Sequence, residues 1–218
     1  MIRSPTHFAM LLAALIAAWQ PSIARAQDED VQLWQIVNVT GDIAEGTRLT
    51  VDVSQRWREQ ARGDEQQTYR VMIEQTIAKG VRIGGGGAVF EAGGNTELRP
   101  HQQVTLVKGN VEFRTRLEER LFDGADRVEL RLRQRVQYTQ ALGDGWRATA
   151  GGEWLGLLQS RSAEEGASTE QWRAQAGIAH KVNDHVELGA NYWLVEFPRG
   201  DQPNRISHIM QTVLTYRF

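Results

Sequence analysis

The chain has 218 residues, with 25 Lys and Arg against 27 Asp and Glu and a formal net charge of −2. That balance gives no electrostatic ground for a nucleic-acid partner, and the absence of cysteine excludes disulfides and thiolate chemistry. No stretch reaches the 18 consecutive apolar residues of a transmembrane helix.

The first element is a leader. Arg3 and His7 precede an apolar run from Phe8 to Trp19, and Ala24-Arg25-Ala26 forms an A-x-A cleavage site. The run is too short to span a bilayer, which takes about 20 apolar residues. Residues 1–26 are therefore expected to be a cleaved signal peptide and residues 27–218 a single exported domain. Losing the leader removes two arginines and no acid, so the mature chain is more acidic still.

From Val31 to Phe218 the sequence alternates with period two, and strands are predicted at 31–40, 47–59, 68–78, 81–91, 98–108, 111–122, 127–142, 146–158, 169–182, 186–197 and 205–218. Nearly all are longer than the usual soluble strand of about 5–6 residues and match the roughly 9–11 of a tilted membrane-spanning strand. Connections alternate between short turns (Lys79-Gly80, Gly109-Asn110, Gly143-Asp144-Gly145, Asn183-Asp184) and longer segments (60–67, 92–97, 123–126, 159–168, 198–204). Short inner turns and longer outer loops are the habit of outer-membrane barrels.

The fold expected is all-β, an antiparallel up-and-down transmembrane β-barrel of about 10–12 strands in the outer membrane of a Gram-negative bacterium. The eleven segments raise a parity difficulty, because bacterial single-chain barrels usually have an even number of strands. With eleven, the first segment lies parallel to the last at closure, unless it sits inside or beside the barrel.

Face by face, the alternation separates greasy from charged. In 127–142, Val128, Leu130, Leu132, Val136 and Tyr138 oppose Arg127, Glu129, Arg131, Arg133, Arg135 and Gln137. In 111–122, Val111, Phe113, Thr115, Leu117 and Leu121 oppose Glu112, Arg114, Arg116, Glu118 and Arg120, with Glu119 a lone acid on the apolar face, expected near the outer rim. Alternation alone also fits a soluble cup with apolar residues inside. Strand length, loop asymmetry and the aromatic positions favour the membrane, with apolar side chains toward lipid and charges toward the lumen. Trp146 and Trp154, eight residues apart on one face, would be separated by roughly 20 Å along the normal, near the spacing of two aromatic girdles. Trp57, Tyr69, Tyr138, Trp172, Tyr192, Tyr216 and Phe218 are further girdle candidates.

Twenty-two of the basic residues are arginine, and the three lysines (Lys79, Lys108, Lys181) fall at short turns. The candidate lumen set holds Arg48, Arg56, Arg58, Arg70, Arg114, Arg116, Arg120, Arg127, Arg131, Arg133, Arg135, Arg147 and Arg173 with Asp52, Glu74, Glu112, Glu118, Glu129 and Glu153. Guanidinium groups grip carboxylates with parallel hydrogen bonds, so one reading is a packed network filling a narrow lumen. The other is an unpaired positive charge that attracts an anion, bound or passing.

No catalytic constellation emerges. His101, His180, His185 and His208 lack metal-ligand spacing, Ser207 and His208 face opposite sides of one strand, and there is no G-x-S-x-G. A lipid-modifying barrel enzyme is a third and weaker reading. Gly84-Gly85-Gly86-Gly87 lies inside a strand, where it bends the wall or makes room for bulky inner side chains. No cofactor or metal is expected.

Trp34, Arg56 and Arg58, the stretches RTRLEER (114–120) and RLRQR (131–135), and His208 with terminal Tyr216-Arg217-Phe218 resemble the domain-of-unknown-function 2490 family of outer-membrane β-barrel proteins. The resemblance implies location and fold and brings no activity or catalytic residues; His208 matches a recurrent family position. The expected role is structural or porin-like, with a narrow anion-preferring channel or anionic-solute binding barrel as the alternative. Expected partners are outer-membrane lipid, small anionic solutes and the barrel insertion machinery, for which the strand ending Tyr216 and Phe218 looks like a recognition signal.

Overall fold

The computed structural model describes residues 28–218, so the leader lies outside the described residues. Eleven strands follow in order: β1 Asp28–Ala44, β2 Thr47–Trp57, β3 Gln66–Ala78, β4 Val81–Ala92, β5 Asn95–Lys108, β6 Val111–Phe122, β7 Glu129–Gly143, β8 Trp146–Gln159, β9 Ser168–Lys181, β10 Val186–Arg199 and β11 Gln202–Arg217. Each pairs antiparallel with its sequence neighbour, and the sheet closes into one barrel. The closing pair is different: β1 and β11 run parallel, from Asp28 opposite Arg205 to Thr40 opposite Arg217. The sheet is therefore mixed rather than wholly antiparallel. The first segment is a full member of the wall.

An odd strand count puts the two ends of the wall at opposite rims. Asp28 starts beside connections 58–65, 123–128 and 160–167, whereas Phe218 ends beside the short turns. Two connections expected to be long are tight. Segment 92–97 contracts to Gly93-Gly94 and segment 198–204 to Gly200-Asp201, because β4, β5, β10 and β11 extend further than their apolar patterns show. Gly93 and Gly94 both have positive φ (56° and 78°), the requirement of a two-residue hairpin turn. The loop asymmetry therefore survives at three connections, not five.

The wall faces as the alternation dictates. Val136 is 46% exposed on the outside, with Phe113, Leu98, Val71, Val53 and Leu188 also exposed around the circumference, while Arg131 is 3% and Glu118 1% exposed inside. The aromatic set Tyr69, Trp146, Trp172, Tyr192, Tyr216 and Phe218 is exposed on the outer face. Trp154 lies there too, against Trp172 and folded over Gly156, where an added Cβ would meet its ring at 2.3 Å. In the glycine run of β4, a Cβ on Gly84 would meet Glu74 Cγ at 2.8 Å, so that glycine makes room for an inner carboxylate.

Candidate functional site in the barrel lumen

The strands β5 to β9 turn their charged faces onto one another across the waist. Glu118 accepts hydrogen bonds from Arg131 Nε (2.8 Å) and Nη2 (2.5 Å) and from Arg133 Nη1 (2.8 Å). Arg116 and Arg99 stand 3.8 and 3.9 Å from the same carboxylate. Glu153 takes Arg114 at 2.6 Å, Arg133 at 2.7 Å and Arg173 at 3.5 Å. Glu112 takes Arg135 (2.5 Å) and Arg82 (3.0 Å), Asp52 takes Arg70 (2.7 Å), and Glu129 pairs with Arg120. Gln103 bridges, donating to Glu74 at 2.9 Å and accepting from Arg116. Glu118 and Glu153, each held by several guanidinium groups, meet the hydrogen-bonding condition under which buried ions are tolerated, while Arg82, Arg114 and Arg135 keep a buried Nε–H with no hydrogen-bond partner among the described residues.

Glu170 enters this network through a defect in the strand. Opposite β8, Leu155 faces Gln171 and Gly156 faces Thr169, leaving Glu170 as an extra residue. Such a bulge re-aims a side chain, and Glu170 reaches Arg131 at 3.0 Å and Arg120 at 3.4 Å. At the short-turn end Glu187 pairs with Arg147 and with Arg217 (3.2 Å), and Arg48 pairs with Asp42 at the rim.

The other side of the lumen carries an apolar cluster. Leu155, Val195 and Ile209 are buried inside the wall of β8, β10 and β11 (0%, 2% and 1% exposed). Beside them Trp193 donates to Gln211 and Trp34 to Gln32, each through its indole N–H. Ser207 is fully buried and donates to Asp30 at 2.5 Å. His208, its neighbour, faces outward, where Nδ1 meets the Tyr192 hydroxyl at 2.6 Å. The two are on opposite faces, as one residue of offset requires.

At the long-loop mouth arginines lie over aromatic rings, and of these Arg99 is also paired with Glu97 at 2.7 Å. Arg56 lies 4.1 Å from the Trp34 ring centroid and 5.6 Å from Phe90, Arg99 lies 3.7 Å from Phe90, Arg205 lies 3.7 Å from Phe197, and Arg161 lies 4.6 Å from Phe122. Among the described residues, Arg56, Arg58, Arg161 and Arg205 form no ion pair with a carboxylate. Burial pushes the Arg58 guanidinium below the ordinary arginine value, and the nearby Arg205 charge adds to the effect. At the outermost rim, Arg62 and Arg199 both hold Asp28, tying the loop after β2 and the β10–β11 hairpin to the start of β1.

A cavity of about 390 Å³ opens at this mouth, lined by Phe90, Phe122, Gln66, Thr96, Glu97 and Arg161 among others. A second, of about 150 Å³, opens at the short-turn end around Arg147, Glu187, Asn38 and Asn191. The two share no lining residue, and the charged waist lies between them.

The geometry sorts the sequence candidates. Arg48, Arg56, Arg70, Arg114, Arg116, Arg120, Arg131, Arg133, Arg135, Arg147 and Arg173 line the lumen, as do all six acids. Arg58 and Arg127 do not join the network: each lies just beyond a strand end. Arg58 donates to the carbonyls of Gly63 and Asp64, and Arg127 to those of Ser160 and Ser162, so both hold loops. The sequence reading missed Arg82, Arg99, Arg205 and Arg217, together with Asp30, Asp42, Glu97, Glu170 and Glu187. The positive excess is accordingly smaller than thirteen against six suggested. Tyr216 and Phe218 sit on the outer face of the last strand, where the Phe218 N–H donates to the Thr40 carbonyl across the parallel seam at 3.2 Å.

The family model described as "Protein of unknown function (DUF2490)" matches residues 31–206, from the seam strand to the start of β11. The chain belongs to this family. Its fold is similar to that of outer-membrane barrels. A KdgM porin structure in complex with disordered oligogalacturonate aligns at TM-score 0.51 and 12% identity, covering 83% of this chain and 90% of that one. A second KdgM porin structure aligns at TM-score 0.48 and 14% identity over 72% of this chain and 81% of that one. The outer-membrane protein OmpT of Vibrio cholerae aligns at TM-score 0.40 and 12% identity, over 70% of this chain and 56% of that one. No curated protein matches the sequence. This DUF2490 chain thus has the closed β-barrel fold seen in outer-membrane proteins.

Proposed function

We propose that the barrel takes up small anionic solutes at its long-loop mouth and passes them, with anion preference, through a lumen that is closed at the waist at rest. One observation carries this reading: Arg56, Arg58, Arg161 and Arg205 gather at the mouth without carboxylate partners, while Glu118 and Glu153 at the waist each face several guanidinium groups. Arginines held on aromatic faces keep their edge N–H groups available for an incoming carboxylate or phosphate. A barrel of similar fold, the KdgM porin, has been solved with an acidic oligosaccharide, which is a precedent for this kind of cargo.

The reading assigns no catalytic step to the chain. It includes export by the leader 1–26 and insertion guided by the strand ending Tyr216-Arg217-Phe218. Planar-bilayer recording under a KCl gradient tests the central point. The wild type should show small currents whose reversal potential favours chloride, and Arg56→Gln with Arg205→Gln should shift it toward zero. Cation preference in the wild type would sink the proposal.

A second reading, a purely structural barrel, is favoured by the mutual pairing of the waist charges, where Glu118 and Glu153 hold Arg131, Arg133 and Arg114. It predicts no resolvable current at any voltage.

A further inference from the structure

The outer wall carries a polar patch where lipid tails should lie. On β5, β6 and β7 the outward residues include Leu98, Val104, Phe113, Leu121 and Val136, all exposed and apolar. Among them sit Gln102, Thr115 and Gln134, with Glu119 toward the long-loop rim, three residues from the end of β6. Thr115 donates to Gln134 Oε1 at 2.9 Å, and Gln102 donates to Glu119 Oε1 at 3.4 Å. Neither pair satisfies its members fully. The Gln134 amide nitrogen has no acceptor among the described residues, and the Glu119 carboxylate has oxygen capacity to spare. Hydrocarbon offers neither donor nor acceptor, so such groups are costly when they face tails.

Thr115 and Gln134 pair with each other near the middle of their strands, away from both rims. Beside them the wall thins. Gly85 lies opposite Gln102 on β4, and a Cβ added to outward-facing Gly87 would meet nothing within 4 Å. Bare backbone lets a second wall approach closely.

We propose that the β4–β7 wall is the contact face of a homodimer in the membrane. The patch is self-complementary at two depths: the Gln134 amide offers a donor and an acceptor at one, and the Gln102 amide lies beside the Glu119 carboxylate at the other, the condition for an isologous interface. A two-fold axis along the membrane normal sets each side chain against partner groups at its own depth. Gln134 can then pair amide to amide with its copy. This inference does not depend on the anion reading.

The cysteine-free chain makes the test clean. Single-cysteine variants Gln134→Cys and Thr115→Cys are oxidised with copper phenanthroline in native membranes. Val37→Cys, exposed on β1 across the barrel, is the control. Cross-linked bands at twice the monomer mass are expected from the first two and not from the control. A Gln134→Leu/Glu119→Leu variant should keep its heat-modifiable folded band and lose at least tenfold in chemically cross-linked dimer. Equal cross-linking at Val37, no cross-linking at either patch position, adducts with a different protein, or dimers undiminished in the leucine variant would each overturn the proposal.

Discussion

Replacing Glu118 by glutamine tests whether the waist holds the barrel together. The side chain is 1% exposed and receives three hydrogen bonds from Arg131 and Arg133, with Arg116 and Arg99 within 4 Å. Glutamine keeps the shape and one acceptor oxygen but removes the negative charge that four guanidinium groups share. Hydrogen bonds to charged groups contribute about 1.5–3 kcal/mol each, and removing one partner of a buried ion pair costs about 3–5 kcal/mol. Glu118→Gln should therefore cost about 3–5 kcal/mol. Asp42→Asn at the rim, where both partners are more than half exposed, should cost under about 1 kcal/mol. The assay is urea unfolding in detergent or liposomes, read by the heat-modifiable shift on gels. A second arm adds Arg116→Met to Glu118→Gln; the carboxylate beside Arg116 is Glu118 and its hydrogen bonds go to the neutral Gln103, so the pair removes an uncompensated charge and should recover part of the loss. Equal, small shifts for Glu118→Gln and Asp42→Asn would refute the idea that the lumen charges are dry and cooperative.

Three further outcomes are expected. Ile209→Ala, at 1% exposure in the apolar cluster of the lumen, should cost roughly 2–4 kcal/mol in the same unfolding assay. Gly41→Val should drive the Phe218 ring away, because a Cβ there would meet it at 2.6 Å, and should reduce the folded band after refolding into liposomes by overpacking of about 1–3 kcal/mol. An epitope inserted immediately before Asp28 should be reached by antibody on intact cells, while one in the Gly109-Asn110 turn should be reached only after the outer membrane is permeabilised; the same access for both would contradict the odd wall.

The sequence made the lumen legible where alternation is undisturbed. Arg114, Arg116, Glu118, Arg131 and Arg133 follow from period two on β6 and β7 alone, but a pairing such as Arg114 with Glu153, across the intervening β7, does not. The losses have separate physical causes. Glu97 fell in a segment that reads as loop, because Asn95 and Thr96 carry no apolar partner to mark the strand. Arg99 and His101 face the lumen on β5, but Pro100 and Gln102 on the opposite face blur the contrast. Glu170 points inward only because a bulge inserts it, and no periodicity reports an inserted residue. Arg82 begins a strand of glycines with little face to read. The mouth was hidden for another reason: Trp34, Phe90, Phe122 and Phe197 hold arginines by their rings, and nothing in the order of residues tells a girdle aromatic from an inner one except parity.

The parallel seam between β1 and β11 constrains how such a wall could have arisen. Copying or deleting a hairpin changes the number of staves by two and conserves parity. An eleven-stave wall therefore cannot descend from an even one by that route. Descent from an even wall would require the gain or loss of a single strand, and a parallel pair such as β1–β11 is the join such an event would leave.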